Sequence, residues 1–181
     1  HISYESAPRI YLTNKQIKAL NDTPVKLAIV KDVCFLMILT GKRFAEVTNL
    51  HWTDVRQYDD GQYYLNIKET KNNKHYNHPI SNEAYSYLIK HPKTNGKIFN
   101  VNYSKAYSIL KKWIKDAGLS SDIAFHNFRH TYATLQLEGG TDLYTVSKLL
   151  GHKSIKTTEI YGKVTDKRKT ETVNKIRIDG L

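Results

Sequence analysis

The amino-acid sequence predicts a mixed α/β fold that is mainly helical and carries one small three-stranded antiparallel sheet. Two observations lead to this prediction. Apolar residues recur at helical spacing through most of the 181 residues, whereas the stretch from Trp52 to Ile80 alternates β-forming residues around turn signals. With 40% hydrophobic residues and only four prolines, the chain can build one sizeable core, and its length fits a single domain.

The part of the chain before the sheet predicts an extended lead-in and three helical segments. Leu12-Thr13-Asn14 suits a helix cap, Pro24 suits the first turn of the next helix, and Thr40-Gly41 suits the end of that helix. Arg43 therefore falls at a junction between two helices. Residues 1–12 are expected to be extended, and helices are expected over residues 15–20, 25–39 and 44–50.

The middle of the chain predicts the sheet. Turn residues cluster at Asp59-Asp60-Gly61 and at Lys71-Asn72-Asn73, and each cluster separates two runs of β-forming residues. Three short antiparallel strands are therefore expected near residues 52–57, 62–69 and 75–80.

After Pro79 the apolar pattern returns to helical spacing, with no repeat and no linker that would split the chain. The last expected segment is strongly charged, and its two apolar residues Val173 and Ile176 lie three apart on one face. Helices are expected at about 82–90, 103–117, 127–138, 142–150, 154–161 and 165–176.

The charge balance favours a polyanionic partner. The chain has 28 Lys and Arg against 17 Asp and Glu, a formal net charge of +11. Membranes and nucleic acids both attract such a protein, but the basic residues are spread along the chain, whereas a membrane-surface segment concentrates them on one amphipathic helix. The pattern therefore favours nucleic acid over a membrane, although charge alone also fits a protein that is merely basic.

The single cysteine, Cys34, excludes an intrachain disulfide and a cysteine-based zinc cluster. It favours a reducing, cytoplasmic setting, associated with the nucleoid if the source is bacterial. The longest apolar run has seven residues, too few to cross a bilayer, and the N-terminus lacks the plan of a signal peptide. Because position 1 is His, the sequence is expected to be a fragment or a processed part of a larger protein.

Six basic or nucleophilic residues, set in five short patches, could perform phosphoryl chemistry. Two guanidinium groups can grip the oxygens of a phosphodiester, a tyrosine phenolate can attack phosphorus, and lysine and histidine can move protons. The sequence shows neither a carboxylate pair suited to Mg²⁺ nor a glycine-rich phosphate loop, so no metal or other cofactor is expected. The candidate residues are Arg43, Lys71, His126, Arg129, His152 and Tyr161.

Four separated motifs occur along the chain, and the single-residue motif, described last here, lies between the first and the second in the sequence. The first is Thr40-Gly41-x-Arg43-x-x-Glu46, the second is His126-x-x-Arg129-His130, and the third is Leu149-Leu150-Gly151-His152 with Tyr161 nine residues after His152. The fourth is Lys71, which lies in a turn eight residues before Pro79. This arrangement resembles the catalytic domain of the tyrosine recombinases, also called the phage integrase family, and the resemblance covers about residues 12–176.

The resemblance implies a role for each matching residue. It implies that Arg43 and Arg129 clamp the phosphate and that Tyr161 is the nucleophile, which forms a 3′-phosphotyrosyl bond and frees a 5′-hydroxyl. Lys71 is implied to be the general acid for the departing 5′-oxygen, and His126 a proton-transfer partner of the tyrosine and the phosphate.

Two further residues have supporting roles under the same resemblance. His152 is implied to be another hydrogen-bond donor to the phosphate, and Glu46 to orient the basic groups without reacting. Lys42 stands where an apolar residue is common and Ala45 where a small polar one is common, which leaves open the packing, or an extra phosphate contact, beside Arg43.

The resemblance also implies an organisation and partners. The chain is expected to be one catalytic domain over residues 1–181, with a core at about 12–163 and a C-terminal segment at 164–181. This segment is expected to dock on a neighbouring subunit, and the alternatives are a frayed tail or a helix folded back on its own domain. The N-terminal core-binding domain of such integrases is expected to be absent from this chain. Expected partners are double-stranded DNA, a homo-tetramer of the full-length protein on DNA, and accessory DNA-bending factors; a phage or other mobile element is the expected source.

Simpler interpretations of the same residues remain open at this stage. Arg43 and Glu46 could form an ordinary surface ion pair, His126 and His130 could bind a metal, and Lys71 could be a solvated turn residue.

The nucleophile and the last histidine have alternatives too. His152 could simply cap a helix. Three other tyrosines could compete with Tyr161 as the nucleophile, namely Tyr107, Tyr132 and Tyr144, and only Tyr161 follows a Gly-His motif at the family distance. A type IB topoisomerase and a catalytically inactive DNA-binding module are the two alternative functions.

Overall fold

The computed structural model describes residues 10–68 and 75–161, and over this part it confirms a mainly helical architecture with a small three-stranded antiparallel sheet. The strands are β1 (Val55–Gln57), β2 (Tyr63–Lys68) and β3 (His75–Ile80). The helices are α1 (Asn14–Asp22), α2 (Ala28–Thr40), α3 (Phe44–Thr48), α4 (Asn82–Leu88), α5 (Tyr103–Asp116), α6 (Phe125–Gly139), α7 (Leu143–Leu149) and α8 (Lys156–Glu159).

The chain divides into two compact units within α6. The N-terminal unit is His1–Tyr132 and the C-terminal unit is Ala133–Leu181. The expectation of a single domain stays a prediction. The turn that contains Lys71 and the helix expected at 165–176 lie outside the described residues.

The first helix follows its local signals closely, and the second follows them only at its C-terminal end. The Thr13 hydroxyl accepts a hydrogen bond from Gln16 N, and the Gln16 side chain accepts one from Thr13 N, so a reciprocal cap begins α1. α2 starts later than the Val25 expected from the sequence, because Leu27 has an extended backbone. Gly41, at a φ of 68°, ends α2.

The sheet has the order β1-β2-β3, and both pairs are antiparallel. The first strand is shorter than the predicted 52–57, because Trp52–Asp54 form a 3-10 turn that the Asp54 carboxylate closes by accepting from His51 N at 2.9 Å. In β3 every second side chain is at least partly buried, which turns Tyr76, His78 and Ile80 to the inner face.

The core of the N-terminal unit forms around α2, which is buried along most of its length and packs against α3, α4 and α5. Trp113 of α5 is almost fully buried, and its Nε1 donates to the Thr23 carbonyl at 3.0 Å, which ties α5 to the segment before α2. Within the described residues, no helix is long and apolar enough to cross a membrane.

The C-terminal unit contains the end of α6 and two short helices, α7 and α8, that pack on each other. Asp142 caps α7 by accepting from Thr145 N at 2.9 Å, and Val146 of that helix is fully buried. α8 is shorter than the predicted 154–161 and leaves Tyr161 just beyond its end.

Candidate active site

Glu46 of α3 joins the two arginines that the sequence predicted as a phosphate clamp. Arg43 Nη1 donates to Glu46 Oε1 at 3.1 Å, and the nearest Arg129 nitrogen lies 3.7 Å from Glu46 Oε2. The Glu46 side chain is only 2% exposed, whereas that of Arg43 is 53% exposed. The Arg43–Glu46 pair is therefore more than a surface ion pair, because its carboxylate is buried and shared with a second arginine. We call these three residues the arginine clamp.

Local backbone geometry explains why Glu46 holds this position. Its Oε2 accepts a hydrogen bond from Arg43 N at 2.7 Å, which satisfies a free backbone donor at the start of α3. A carboxylate in the first turn is also favoured by the helix dipole. The Arg43-x-x-Glu46 spacing is thus required both by the helix start and by the clamp.

Gly41 connects the first and second motifs. Its carbonyl accepts a hydrogen bond from Arg129 Nη1 at 2.9 Å. A Cβ atom at position 41 would lie 2.4 Å from Cδ1 of the Tyr132 ring, a separation that real Cβ atoms do not show. The glycine is therefore needed twice, for its positive φ and for the close approach of α6.

The contact between Gly41 and Tyr132 also concerns the other tyrosines that were considered as nucleophiles. The Tyr132 ring is packed against Gly41, and burial raises the pKa of its phenol to about 12. Such a phenol is a poor source of phenolate at neutral pH. Tyr144 is 59% exposed on α7, and Tyr107 is half-buried among the aromatic rings Tyr103 and Phe125.

The first two turns of α6 carry Arg129 and both histidines of the second motif. Asn127 anchors the start of α6: its Oδ1 accepts from Ala124 N at 2.7 Å and its Nδ2 donates to the Ile10 carbonyl at 2.8 Å. His126 is exposed, and its ring centroid lies 5.4 Å from that of the half-buried His130. His126 therefore presents its ring to solvent one turn before Arg129.

Lys42 is fully buried beside the arginine clamp. Its Nζ donates to Tyr76 Oη at 3.1 Å. Burial lowers the pKa of Lys42 to about 7, and this shift is opposed by Glu46 and reinforced by Arg129 and Arg43.

Sequence reasoning missed this group. It noted Lys42 only as a departure from the family pattern, and it singled out neither Tyr76 nor His78. The available signal was the alternation along β3, which turns both residues of that strand toward the core.

His152 and Tyr161, two of the predicted site residues, belong to the C-terminal unit. Thr158 stands between them in the sequence and contacts both. The Nδ1 atom of His152 lies 2.8 Å from Thr158 Oγ1, and Tyr161 N donates to the Thr158 carbonyl at 3.0 Å. The backbone of His152 donates to the Ser147 carbonyl and so closes the end of α7, as a helix cap does, while its imidazole remains directed to Thr158. Tyr161 is 6% exposed.

The structure thus brings Arg43 and Arg129 together on Glu46, places His126 on the same helix as Arg129, and connects His152 with Tyr161 through Thr158. Lys71 lies outside the described residues, which include β2 up to Lys68 and β3 from His75. In residues 10–68 and 75–161, no group of three or more His, Cys, Asp and Glu side chains could hold a metal ion. The buried Cys34 thiol, whose pKa burial raises, lies inside α2.

The chemistry available to this arrangement is anion recognition. Two planar guanidinium groups with a shared carboxylate are oriented donors for a tetrahedral oxyanion, and the neutralising carboxylate keeps them from repelling one another.

Comparison with known proteins gives consistent results. The model of the phage integrase family matches residues 10–168. The tyrosine recombinase XerA of Saccharolobus solfataricus is 33% identical over 157 residues, which cover 81% of this chain and 52% of the relative. XerA of Pyrococcus furiosus is 30% identical over 92% of this chain and 62% of its own length. The chain thus spans about half the length of the curated relatives it matches.

Two solved structures share the fold. The catalytic domain of bacteriophage HP1 integrase superposes with a TM-score of 0.71 and 22% identity, over 94% of this chain and 96% of that domain. The XerH site-specific recombinase, in a post-cleavage complex with a palindromic difH substrate, superposes with a TM-score of 0.77 and 22% identity, over 97% of this chain and 55% of XerH.

Proposed function

The chain belongs to the phage integrase family, and from that membership we propose that it is the catalytic part of a site-specific DNA recombinase. The reaction cuts and rejoins DNA strands through a 3′-phosphotyrosyl intermediate on Tyr161. The observation that carries the proposal is the arginine clamp, in which a buried Glu46 carboxylate orients Arg43 and Arg129. The positive charge of +11 supports double-stranded DNA as the substrate.

The clamp binds the scissile phosphate. The guanidinium groups of Arg43 and Arg129 donate to its two non-bridging oxygens, where negative charge increases as phosphorus becomes pentacoordinate. Glu46 takes no part in bond making. It fixes the direction of the donors before the substrate arrives, so that they need not reorganise during the reaction.

Cleavage is a transesterification, in which one phosphorus–oxygen bond forms as another breaks. The Tyr161 oxygen forms a bond to phosphorus as the bond to the 5′-oxygen breaks, and the phenol proton passes to a base, for which His126 is the candidate. Lys71 gives a proton to the departing 5′-oxygen, and His152 donates a hydrogen bond to the phosphate. Attack by a 5′-hydroxyl on the phosphotyrosine reverses these steps and rejoins DNA without ATP.

The wider setting belongs to the same proposal. The full-length protein works as a homo-tetramer on DNA, with accessory DNA-bending factors, and the C-terminal segment 164–181 docks on a neighbouring subunit. The source is a phage or another mobile element, and the reaction takes place in the cytoplasm, where such DNA is found.

Two other functions stay as alternatives. A type IB topoisomerase would use the same chemistry to relax supercoils as a monomer, and an inactive module would only bind DNA. Exchange of strands between two duplexes separates a recombinase from a topoisomerase, and covalent capture of DNA separates either enzyme from the module.

Covalent capture from random-sequence DNA tests the proposal and identifies the target site in the same experiment. The protein that carries this chain is incubated with a pool of nicked random-sequence duplexes, denatured in SDS, and the DNA that stays attached is sequenced. We expect an SDS-stable adduct at a defined sequence.

Tyr161→Phe should abolish the adduct and leave DNA affinity nearly unchanged, because one hydroxyl is the nucleophile but contributes little to binding. Tyr144→Phe is the matched control and should retain the adduct. No adduct with the unaltered protein would refute the recombinase in favour of the binding module.

A further inference from the structure

Lys42 is an ammonium side chain with no exposed surface, and it directly precedes the first arginine of the clamp. Burial of such a charge is costly unless hydrogen bonds or opposite charges compensate. A methionine side chain would fill nearly the same space without that cost. The groups that surround the ammonium therefore indicate what a lysine does at this position.

The ammonium contacts strand β3. Lys42 Nζ donates to Tyr76 Oη at 3.1 Å and lies 4.9 Å from the centroid of the same ring. Tyr76 pairs with Ile67 of β2, which is 1% exposed, so the strand that carries the hydroxyl is part of the packed sheet. The Lys42 side chain is therefore bonded to a fixed point outside its own segment.

Strand β3 makes a second contact with the same segment. His78 follows Tyr76 by two residues, so both side chains lie on one face of the strand, and the His78 ring is hydrogen-bonded to the backbone of Thr40. Burial, and then the charge of Lys42, lower the pKa of His78 to about 3, so this ring is neutral at pH 7. β3 thus contacts the chain at the end of α2 from two successive inward positions.

Lys42 lies between two backbone groups on which the clamp depends. The Gly41 carbonyl, which accepts from Arg129 Nη1 at 2.9 Å, belongs to the peptide unit before the Lys42 Cα atom. The Arg43 N–H, which donates to Glu46 Oε2 at 2.7 Å, belongs to the peptide unit after it. Because each peptide unit is planar, the two backbone dihedrals of Lys42 set the directions of both groups. A Lys42 side chain that is bonded to β3 restricts those dihedrals.

The charges around Lys42 are those of the arginine clamp. Burial lowers the pKa of Lys42 most, and Glu46 on α3 raises it. Arg129 on α6 and the adjacent Arg43 lower it further, and the resulting pKa is about 7. Lys42 is therefore close enough to act electrostatically on every member of the clamp while its head group is bonded to the strand.

We infer that Lys42 is a positioning residue for the arginine clamp: its bond to Tyr76 fixes the two peptide units that hold Arg129 and Glu46 in the orientation that binds the scissile phosphate. The inference rests on the proposed function, because it takes the clamp to bind that phosphate. Lys42 acts through the backbone of its two neighbours, and in this scheme it contacts neither DNA nor the reacting atoms.

The amide proton of Arg43 tests the inference without catalysis. It donates to Glu46 Oε2, so it exchanges with solvent when that bond opens. We expect Lys42→Met and Tyr76→Phe each to raise its exchange rate about tenfold, which is the contribution of about one hydrogen bond. NMR of isotope-labelled protein measures this rate. Tyr76→Phe removes only one oxygen, so it remains informative if Lys42→Met folds poorly. Normal exchange in both variants would overturn the inference.

Two controls separate this local effect from a general loss of stability. Lys31→Met is the matched variant, because Lys31 Nζ also makes a long-range hydrogen bond, to the Asn21 carbonyl, but from the other end of α2. It should leave exchange of the clamp amide unchanged. The Ala84 amide is the matched reporter, because it donates to Ser81 Oγ at 3.1 Å at the start of α4. An equal rise in exchange at Ala84 would show a general loss of stability and would overturn the inference.

Adduct formation in a single turnover tests the effect on cleavage. We expect Lys42→Met and Tyr76→Phe each to be about tenfold slower or more, with DNA affinity unchanged, because a misplacement of about 1 Å in a catalytic site can cost about 10²-fold. The double variant should be no slower than Lys42→Met, since the two substitutions remove the same contact. Lys31→Met should cleave at the normal rate.

A substrate with an uncharged scissile group identifies the clamp as the part that Lys42 supports. In a methylphosphonate, a methyl group replaces one non-bridging oxygen and removes the negative charge that the clamp stabilises. At the cleavage site that covalent capture identifies, this substrate should reduce the defects of Lys42→Met, and of Arg43→Lys run beside it, to within a few-fold of the unaltered protein.

The methylphosphonate also separates failure of the inference from failure of the proposed function. If it restores Arg43→Lys and not Lys42→Met, the inference is overturned while the proposed function stands. No adduct from the unaltered protein on either substrate would instead overturn the proposed function, whereas the exchange of the Arg43 amide would still measure how Lys42 positions the clamp.

Discussion

Arg129 and Gly41, which are 88 residues apart in the sequence, are joined by a 2.9 Å hydrogen bond from Nη1 to the carbonyl oxygen. This bond places the second motif against the first, and the Tyr132 ring, one turn along α6 from Arg129, also lies against Gly41. The arginine clamp is therefore assembled by backbone geometry at the end of α2 as much as by its charged side chains.

Gly41→Ala should disrupt this assembly. The new methyl group would meet the Tyr132 ring at 2.4 Å, and a φ of 68° is strained for alanine, so we expect a loss of more than about 2 kcal/mol in the free energy of unfolding. Gly118→Ala is the matched control, because it has a φ of 70°, no atom within 4 Å, and also follows a helix. Urea titration of both variants measures the difference. Equal losses would show that the Tyr132 contact has no energetic weight.

Glu46→Gln should separate the hydrogen bonding of the Glu46 side chain from its negative charge. The amide oxygen can still accept from Arg43 N, but the negative charge that both arginines share is lost. We expect adduct formation to fall about tenfold or more while DNA affinity stays the same or rises, because net positive charge increases. Glu83→Gln, at an exposed position on α4, is the control for charge alone. A rate equal to that of the control would remove Glu46 from the site.

Arg43→Lys and Arg129→Lys keep the positive charge and lose the planar guanidinium group with its paired hydrogen-bond donors. Removal of one transition-state donor costs roughly 10²-fold in rate, and we expect a loss of that size or more from each substitution. Arg56→Lys, at an exposed position of β1, is the control. Single-turnover adduct formation is the measurement, and a near-normal rate in either variant would make that arginine a positioning contact only.

Cleavage should persist in a chelator. In the proposed mechanism the cationic side chains stabilise the charge that a metal ion stabilises in other phosphoryl-transfer enzymes. Adduct formation in excess EDTA should therefore match that in buffer. Loss of the adduct in EDTA and its return with Mg²⁺ or Zn²⁺ would contradict the mechanism.

Local signals allowed most of the fold to be predicted, whereas the clamp residues were expected from the resemblance to the phage integrase family. The cap within Leu12-Thr13-Asn14, the helix end at Thr40-Gly41 and the Arg43-x-x-Glu46 spacing each act within a few residues, so the sequence shows them directly. The burial of Lys42 could not be predicted, because it depends on Tyr76, which is 34 residues away on another element. The late start of α2 was missed for a similar reason, since the extended backbone at Leu27 has no local marker.

The buried lysine also predicts how stability varies with pH. The folded-state pKa of Lys42 is about 7, against 10.5 for an ordinary lysine, so between these values the unfolded chain binds a proton that the folded chain does not. Stability therefore rises with pH through this window, and below pH 7 the full cost of the buried charge remains.

Lys42→Met lacks this dependence. We expect the unaltered protein to gain on the order of a few kcal/mol relative to Lys42→Met between pH 7 and pH 10, as measured by urea unfolding of both proteins. The comparison cancels other groups that titrate in this range. Parallel stability curves would mean that Lys42 keeps an ordinary pKa in the folded protein, and that its ammonium is better compensated than its burial implies.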